Sequence, residues 1–328
     1  MNIFPRADRQ LDNYMRILIA GGAGFIGSHL TEHHLKIGDT VTVLDNFITG
    51  SEDNISPFKT DKNFRIITAD VTTFEHSADD KYDIIYNLAS PASPVQYKKY
   101  AVETLLTNAQ GTYRLLEVLR ANPHASFVLA STSEIYGDPL VHPQKEDYFG
   151  NVNTVGPRSC YDEGKRYAES MANVYVRKYG LNVRIARIFN TYGPHMEKND
   201  GRIISNFIMQ ALTQKPITIY GDGKQTRSFC YVSDMVQGLY KLATVPDIGG
   251  EVINLGNPVE KSVNEMAEMI KDMVQSTSNI VHEAIDGDDP KKRKPDISKA
   301  HALLKWSPEV KLEDGLTKTI QYFREKFL

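Results

Sequence analysis

The segment GGAGFIG, residues 21–27, lies between an apolar stretch, RILIA (16–20), and a helical pattern that stops at Gly38. It fits both GxGxxG and GxxGxxG. Glycines at a strand-to-helix turn let the backbone approach a pyrophosphate, and the N–H groups that begin the helix face that anion. Any tight turn of this kind favours glycine, but the strand before it and the helix after it predict a dinucleotide-binding βα unit.

The alternation of strand and helix continues to about residue 188, with helical patterns over 98–120 and 160–179. Five further strand-like segments are TVTVLD (40–45), FRIITAD (64–70), YDIIYNLA (82–89), SFVLAS (126–131) and LNVRIAR (181–187). Repeated βαβ units predict an α/β fold of the Rossmann type, a doubly wound parallel sheet covered by helices on both faces.

Beyond residue 188 the pattern changes to short strands (ITIYG, SFCYV and EVINLG) and helices of mixed order. Further helices are predicted near 202–213, 233–244, 262–275 and 312–327. We expect a dinucleotide-binding domain over 15–188, with return segments near 228–257. A smaller mixed substrate domain is expected mainly over 189–328.

Composition narrows the class of protein. The 328 residues are 41% hydrophobic and 24% charged, with a formal net charge of −3, so no strong field favours nucleic acid or an anionic membrane as a partner. No apolar run approaches the roughly 18 residues of a membrane span. Two cysteines and the histidine spacing predict neither a disulfide framework nor a metal site. Residues 1–14 are expected to be a loose leader, KKRK (291–294) a solvated loop, and the protein cytoplasmic.

Two aspartates end the second and third predicted strands. Asp45 lies 18 residues after Gly27, where an acid accepts the ribose hydroxyls and repels a 2′-phosphate, so NAD is favoured over NADP. Asp70 is a candidate for the adenine edge; the alternative is a turn aspartate.

A tyrosine base with a lysine one helical turn further on, YxxxK, is typical of short-chain dehydrogenases. The spacing occurs at Tyr161/Lys165, Tyr220/Lys224 and Tyr322/Lys326. Only the first opens a helix directly after the fifth strand, where it is expected to meet the hydroxyl of Thr132 beside a nicotinamide. We therefore expect the first pair to act with Thr132 and the other two to be incidental.

The order of the motifs GGAGFIG, LDN, NLAS, STSEIYGD, YDEGK and RIFNTYGP resembles the extended short-chain dehydrogenase/reductase family acting on nucleotide sugars. STSEIYGDP (131–139), GPRSCYDEGKR (156–166) and RKPDISKA (293–300) are most similar to its members that decarboxylate UDP-glucuronate. The resemblance runs from about residue 15 to the C-terminus. It implies NAD contacts at Gly21, Gly24, Phe25, Ile26, Gly27, Asp45, Asn46, Phe47, Asp70, Val71, Leu88, Ala89, Ser90, Thr107, Tyr161 and Lys165.

The resemblance also implies a reaction. Tyr161 is expected to take the proton of the sugar 4-hydroxyl while NAD oxidises C4, after which the C5 carboxylate, now β to a ketone, leaves as carbon dioxide. Glu134, beside Thr132, is expected to orient the sugar ring. Nucleotide-sugar 4,6-dehydratases carry an Asp-Glu pair here, whereas this chain has Ser133, a poor acid for a leaving hydroxyl. The alternative for Glu134 is a helix-capping or salt-bridged residue.

For the nucleotide sugar, the resemblance implies contacts from Ser133, Asn190, Arg202, Tyr220, Arg227 and Arg293. Arg227 is the first candidate for the diphosphate or the sugar carboxylate, and Tyr220 for stacking on the uracil. Each arginine is alternatively a surface charge, Arg293 above all. Tyr220 alternatively packs within the small domain.

Two departures from the decarboxylase pattern keep other functions open. Leu106 stands where a lysine is usual, and Ser51 and Glu52 lie in a loop where basic residues are common. An epimerase, a dehydratase or a 4-oxidase of nucleotide sugars is the alternative enzyme, and an NAD-binding sensor is the non-enzyme alternative.

The predicted helices over 98–120 and 160–179 resemble those that pair two subunits in this family. A homodimer is therefore expected, although amphipathic helices also pack inside a monomer.

Overall fold

The computed structural model describes residues 14–77, 79–284 and 292–328. The predicted leader over 1–14 therefore lies outside the described residues, except for Tyr14. The strands are β1 Arg16–Ala20, β2 Thr40–Asp45, β3 Phe64–Thr68, β4 Ile84–Asn87, β5 Ser126–Thr132, β6 Val183–Ile188, β7 Thr191–Tyr192, β8 Ile217–Tyr220, β9 Thr226–Ser228, β10 Cys230–Tyr231, β11 Val252–Leu255, β12 Glu260–Ser262, β13 Ile280–Glu283 and β14 Lys292–Arg293.

The α-helices are α1 Phe25–Lys36, α2 Glu52–Ile55, α3 Pro94–Lys99, α4 Ala101–Leu106, α5 Thr112–Ala121, α6 Ser159–Tyr179, α7 Ile203–Leu212, α8 Val232–Thr244, α9 Val263–Val274, α10 Ser298–Leu304 and α11 Leu312–Phe327. Two 3₁₀ turns, Ser56–Phe58 and Ser133–Tyr136, and a π-helical turn, Thr107–Gly111, complete them.

Seven parallel strands form the central sheet in the order β11-β6-β5-β4-β1-β2-β3. Successive residues of β1 enter opposite apolar clusters, Ile17 and Ile19 on one face and Leu18 and Ala20 on the other. This burial on both faces confirms the predicted Rossmann-type fold. The strand order reverses between β1 and β4, and ligands of such sheets bind at the carboxyl ends of the strands there.

The second half of the chain contributes to the central sheet and to three small ones. β11 lies beside β6 in the central sheet, whereas β8 pairs with β13, β10 pairs with β7, and β9 lies between β12 and β14. Because β9 and β14 are parallel neighbours, Arg227 and Arg293 are direct partners in the register. Two of these small sheets bring Tyr220, Arg227 and Arg293 to the crevice of the large sheet.

The prediction of one continuous helix over 98–120 is wrong, because the structure divides this segment into α3, α4, a π-helical turn and α5. Tyr100, with φ −113° and ψ 50°, separates α3 from α4, and the π-helical turn Thr107–Gly111 separates α4 from α5. A Cβ at Gly111 would lie 2.6 Å from Cγ1 of Val71, so this turn packs closely against the loop after β3. In contrast, the helix predicted over 160–179 is confirmed as α6.

The prediction that KKRK (291–294) is a solvated loop is wrong for Arg293, which lies in β14 and is 4% exposed. Lys291 lies outside the described residues.

Cys160 and Cys230 are buried and free. Within the described ranges, no helix combines the length and apolarity that a membrane crossing requires. Across the same residues, no group of three or more His, Cys, Asp or Glu side chains is placed to hold a metal ion.

Candidate active site

A cavity of about 830 Å³ opens at the carboxyl ends of the central strands and reaches the small sheets of the second half. A cavity of about 60 Å³ adjoins it, and both have Gly21, Gly24, Leu88 and Ser90 in their walls. The shared walls make the two cavities one elongated site.

Most of the predicted site residues line this site. The large cavity takes Gly21, Gly24, Phe25, Ile26, Gly27, Leu88, Ser90, Thr132, Ser133, Glu134, Tyr161, Lys165, Asn190, Arg202, Tyr220, Arg227 and Arg293. The smaller one adds Asp45, Asn46, Val71, Ala89 and Thr107. Among the described residues, Phe47 and Asp70 are the predicted contacts that belong to neither wall.

The glycine turn fits a dinucleotide pyrophosphate. Gly21 has a φ of +81°, and a Cβ there would lie 2.7 Å from the carbonyl carbon of Leu88. A Cβ at Gly27 would lie 2.1 Å from the carbonyl oxygen of Gly21. The N-cap of α1, Gly24, supplies no side-chain cap, so the first N–H groups of the helix are left for an anion. The residues present therefore fit NAD.

Asp45 ends β2 with its carboxylate turned toward the glycine turn. Its Oδ2 accepts from the Ala23 N–H at 2.9 Å, and its Oδ1 accepts from the Phe47 N–H at 2.9 Å. Burial raises the pKa of Asp45, and these backbone donors oppose the rise. Phe47 thus contributes through its backbone, which has a φ of +60°.

The contacts of Asp70 match the turn interpretation. Its carboxylate accepts from the Thr72 N–H at 2.8 Å and hydroxyl at 2.6 Å, and from Nδ2 of Asn46 at 2.9 Å. Asn46, rather than Asp70, lies on the wall of the smaller cavity.

The opposite side of the smaller cavity is formed by residues 88–90 and the π-helical turn. Oγ of Ser90 accepts from Nδ2 of Asn108 at 2.9 Å. This bond connects the loop after β4 to the turn that begins at Thr107, so the wall is held from two elements.

Thr132, Tyr161 and Lys165 meet where β5 ends and α6 begins. The Thr132 hydroxyl lowers the pKa of the Tyr161 phenol, against the larger opposing effect of burial, so the two side chains interact. Nζ of Lys165 donates to the carbonyl of Ala130 at 2.8 Å and lies 5.8 Å from the centre of the Tyr161 ring. Tyr97 stacks on Tyr161 with the ring centres 5.0 Å apart. The structure therefore brings the three predicted residues together at one wall.

Burial shifts the pKa values of Tyr161 and Lys165. Tyr161 is 5% exposed, and burial together with Glu134 raises the pKa of its phenol, which is therefore neutral at rest. Burial lowers the pKa of Lys165 to about 7, against the opposing effect of Glu169. Because this pKa lies near neutrality, a small change in the surroundings of Lys165 switches its charge.

Glu134 lies in the turn after β5, between two arginines. Its Oε2 accepts from Nη2 of Arg158 at 2.5 Å, and its Oε1 lies 3.4 Å from Nη1 of Arg293. Burial alone would raise the pKa of Glu134, but the two arginines outweigh burial and lower it. Glu134 is therefore an ionised, salt-bridged residue that also faces the cavity, and Arg293 is no surface charge.

Sequence reasoning missed Arg158 and Asp162. Arg158 precedes Tyr161 by three residues at the start of α6, and that helical spacing is the signal that would have identified it. Asp162 is 7% exposed, and its carboxyl is within hydrogen-bonding reach of Glu134. No sequence signal separates it from an ordinary acid in the first turn of a helix.

The predicted substrate contacts all lie in the wall of the large cavity, two of them, Ser133 and Arg293, next to Glu134. Ser133 is buried beside Glu134, and Tyr220, at the end of β8, is 52% exposed. Asn190 follows β6, and its carbonyl accepts from the Cys230 N–H at 2.9 Å, which fixes the loop that carries it.

Two arginines differ in how they meet this cavity. Arg202 makes a two-point ion pair with Asp200, with distances of 2.8 Å to Oδ1 and 2.5 Å to Oδ2, so its guanidinium is fixed by its own loop. Arg227 is buried in the wall, and its Nη1 donates to the Thr226 carbonyl at 2.9 Å. Arg227 and its register partner Arg293 place two guanidinium groups in neighbouring strands.

Of the residues that depart from the decarboxylase pattern, Leu106 and Glu52 line neither cavity. Ser51 follows Gly50 of the smaller cavity's wall, and its N–H donates to the Ala23 carbonyl at 3.1 Å. Leu106 is 47% exposed at the end of α4 and lines neither cavity. Glu52 forms an exposed ion pair with Lys59 at 2.9 Å. Neither departure therefore changes the charge of the cavity walls.

Comparison with known proteins identifies the family. The profile of the NAD dependent epimerase/dehydratase family matches residues 17–256. UDP-glucuronic acid decarboxylase 1 of Xenopus tropicalis is 51% identical over 95% of this chain and 72% of its own length, and the Danio rerio enzyme of the same name is 52% identical over 94% and 72%.

A solved structure agrees with these relatives in fold. UDP-glucuronic acid 4-epimerase from Bacillus cereus, in complex with UDP-glucuronic acid and NAD, matches with a TM-score of 0.87 at 30% identity, over 95% of this chain and 100% of that one. With the glycine turn, the Tyr161–Lys165 pair and these likenesses together, the chain belongs to the NAD dependent epimerase/dehydratase family and, within it, to the UDP-glucuronic acid decarboxylases.

Proposed function

We propose that this protein converts UDP-glucuronate to UDP-xylose and carbon dioxide, with NAD as a cofactor that is regenerated in each turnover. The observation that carries the proposal is one continuous cavity that joins the glycine turn, the Thr132–Tyr161–Lys165 group and the ion-paired Glu134. The identity of about half of all residues to curated decarboxylases supports it.

Three side chains act on the oxygen at C4. Tyr161 removes the proton of the 4-hydroxyl, Lys165 stabilises the phenolate with its ammonium charge, and Thr132 donates a hydrogen bond to the oxygen as it becomes a ketone. When bound, NAD would supply the acceptor for the hydride of C4 and the donor that restores it, and the positive charge of its nicotinamide would lower the cost of forming the phenolate. Tyr161 is neutral at rest, so this proton transfer waits for the bound complex.

Glu134 orients the sugar for the loss of carbon dioxide. The bond between C5 and the carboxylate must align with the π system of the 4-ketone, because the electrons of that bond enter an enolate. A carboxylate held by Arg158 and Arg293 accepts hydrogen bonds from the sugar at a constant position. Its negative charge is balanced by the arginines, so it repels the carboxylate of the substrate less than a bare glutamate would.

Two other reactions of the family start with the same oxidation at C4. Dehydration needs an acid for the leaving hydroxyl, and the residue before Glu134 is Ser133. Epimerisation at C4 with the carboxylate retained is the second candidate, favoured by the likeness to the Bacillus cereus 4-epimerase. The fate of the carboxylate separates it from decarboxylation.

On the nucleotide side, we propose that Arg227 binds the diphosphate. It is buried in the cavity wall, and charge-assisted bonds to phosphate are strong where water is excluded. We also propose that Tyr220, which is half exposed in the cavity wall, stacks on the uracil. Asp200 holds Arg202 in place. We expect Arg202 and Asn190 to contact the nucleotide sugar between Arg227 and Tyr220.

Release of labelled carbon dioxide tests the proposal. UDP-glucuronate with a ¹³C carboxylate is mixed with the protein and a catalytic amount of NAD, and the expected result is steady ¹³CO₂ release that depends on NAD. Retention of all label in a UDP-hexuronate would favour epimerisation and overturn the proposal.

We further propose a homodimer through α4, α5 and α6. These neighbouring helices carry the exposed apolar side chains Val102, Leu105, Leu106, Tyr113 and Tyr167. Exposed apolar clusters of this kind are uncommon on monomers, and a second copy of the same face would cover them.

The cytoplasm remains the proposed location, and the division into domains over 15–188 and 189–328 remains a proposal as well. Two buried free cysteines are compatible with a reducing compartment. Fractionation of cells tests the location, and limited proteolysis tests the domain division.

A further inference from the structure

Asp162 is an acid behind the Glu134 wall that the proposed chemistry does not use. It lies in the first turn of α6, is 7% exposed, and is within hydrogen-bonding reach of the Glu134 carboxylate. Its Oδ1 is buried and has no hydrogen-bond partner among the residues that the structure describes. An ionised carboxylate with a bare buried oxygen is costly, so this geometry favours a protonated Asp162.

The charged and titratable groups around Asp162 come from four elements. They are Glu134 after β5, Arg158 at the start of α6, Arg293 on β14, Tyr97 on α3, and the chain neighbours Cys160 and Tyr161. Both arginines make their ion pairs with Glu134. The charge of Glu134 is thereby stabilised by direct contact. The two arginines also favour an ionised Asp162, but burial and the charge of Glu134 outweigh them and raise its pKa.

Two adjacent carboxyl groups in a buried site share one proton, because ionising both brings like charges together. Burial, followed by Glu134, raises the pKa of Asp162, while the arginines lower that of Glu134. The shared proton therefore resides on Asp162, and the pair carries a single negative charge on Glu134.

We propose that Asp162 is a positioning residue whose protonated carboxyl donates a hydrogen bond to Glu134 and keeps that carboxylate aimed at the sugar. The assignment rests on the proposed function, since it concerns the site that orients the sugar. As the pH rises through the raised pKa of Asp162, the pair gains a second negative charge. Repulsion then displaces Glu134 from the sugar, and activity falls.

Replacement of the acid by its amide tests the proposal. Asp162→Asn keeps a donor toward Glu134 and cannot lose it, so the alkaline fall of kcat is expected to move up by at least about one pH unit. Asp162→Leu removes the donor and is expected to lower kcat on the order of tenfold at every pH. Glu163→Gln, the same change one residue further along α6, is the matched control. Lys165 also titrates, but equally in all these proteins. An alkaline fall in Asp162→Asn that coincides with the wild type would overturn the proposal.

A second readout does not depend on turnover. Near pH 7 the infrared difference spectrum of wild type minus Asp162→Asn should contain the C=O band of a protonated carboxyl. The difference spectrum of wild type minus Glu163→Gln should lack this band. If the band is missing from the wild type, Asp162 is ionised and the proposal fails. If the band is present but no carbon dioxide is released from UDP-glucuronate, the proposed function fails and the proton on Asp162 stands.

Discussion

Glu134 keeps its charge inside a largely buried wall because Arg158, 24 residues further along the chain, and the distant Arg293 both pair with it. Its two ion-paired partners are also buried, with 14% and 5% of their side chains exposed. Removing one partner of a buried pair leaves a charge without compensation, which costs more than the pair itself contributes. The ion pairs are therefore important for stability, in addition to the proposed role of Glu134 in orienting the sugar.

Arg158→Gln should lower the unfolding free energy by about 3 kcal/mol. The contribution of Glu134 to the unfolding free energy changes with pH in a definite direction. Because the pKa of Glu134 is lowered in the folded protein, its contribution is present above the ordinary carboxyl pKa and is lost as the pH falls through the lowered value. In the variant this pKa is less lowered, so thermal melts should weaken at a higher pH than in the wild type.

Arg65→Gln is the control for that experiment, since Arg65 pairs with Asp80 on the surface at 3.4 Å with 60% of its side chain exposed. It should change the melts little at any pH. Equal losses in both variants would argue against a special role for Arg158.

Tyr161→Phe should lower kcat by ~10²–10⁴-fold, because the general base is lost while the ring still stacks on Tyr97. Binding of NAD, measured by calorimetry, should persist. Tyr322→Phe, at another of the YxxxK spacings, should remain within about twofold of the wild type. Substantial carbon dioxide release by Tyr161→Phe would exclude Tyr161 as the base and leave a sensor or another base to consider.

The roles of residues within the motifs could be predicted from the sequence. Contacts between residues that are distant in the sequence could not. Thr132, Tyr161 and Lys165 follow from motif spacing relative to a strand and a helix. The burial of Arg293 follows from the pairing of β14 with β9, a contact across 66 positions that no local pattern contains. For the same reason, the sequence left Glu134 with separate catalytic and salt-bridged interpretations that the structure combines.

At the scale of elements, the turn between β1 and α1 can pack closely against its own backbone because its glycines have no Cβ. Gly27→Ala would place a methyl group 2.1 Å from the carbonyl oxygen of Gly21, so the turn must open and the pyrophosphate site with it. The dissociation constant for NAD should rise at least about tenfold, measured by calorimetry.

Gly180→Ala separates loss of binding from loss of stability. Gly180 ends α6 with a φ of +65°, and a methyl group added there would meet no atom within 4 Å, so only left-handed strain, about 1 kcal/mol, is expected. Its affinity for NAD should be unchanged. An equal loss of NAD affinity in both variants would mean that stability, not the shape of the turn, governs binding.

The break of the predicted 98–120 helix shows the limit of periodicity. Apolar residues stand at helical spacing on both sides of Thr107–Gly111, and the whole segment contains no proline that would end a helix. The π-helical turn is instead explained by contacts with distant residues, Gly111 against Val71 and Asn108 to Ser90. A doubly wound parallel sheet was predictable because each βα unit is local. The return segments expected near 228–257 include β11, but its pairing with β6 depends on a long connection that no local pattern specifies.

At the scale of the whole molecule, the apolar face of α4, α5 and α6 predicts assembly. Leu105→Glu should convert a dimer to a monomer in analytical ultracentrifugation, because a charge buried in an apolar interface is unpaired. Val259→Glu alters another exposed apolar residue and should leave the assembly unchanged. A wild-type protein that is monomeric at all concentrations would contradict the homodimer.

The central claim is that C4 oxidation leads to loss of the C5 carboxylate and then to reduction. An NMR time course in D₂O with UDP-glucuronate and a catalytic amount of NAD tests it most directly. The expected product is UDP-xylose with one deuterium at C5, because C5 is reprotonated from solvent, and NADH should not accumulate. A product that keeps its carboxylate, or a UDP-4-keto-pentose that accumulates with NADH, would contradict it.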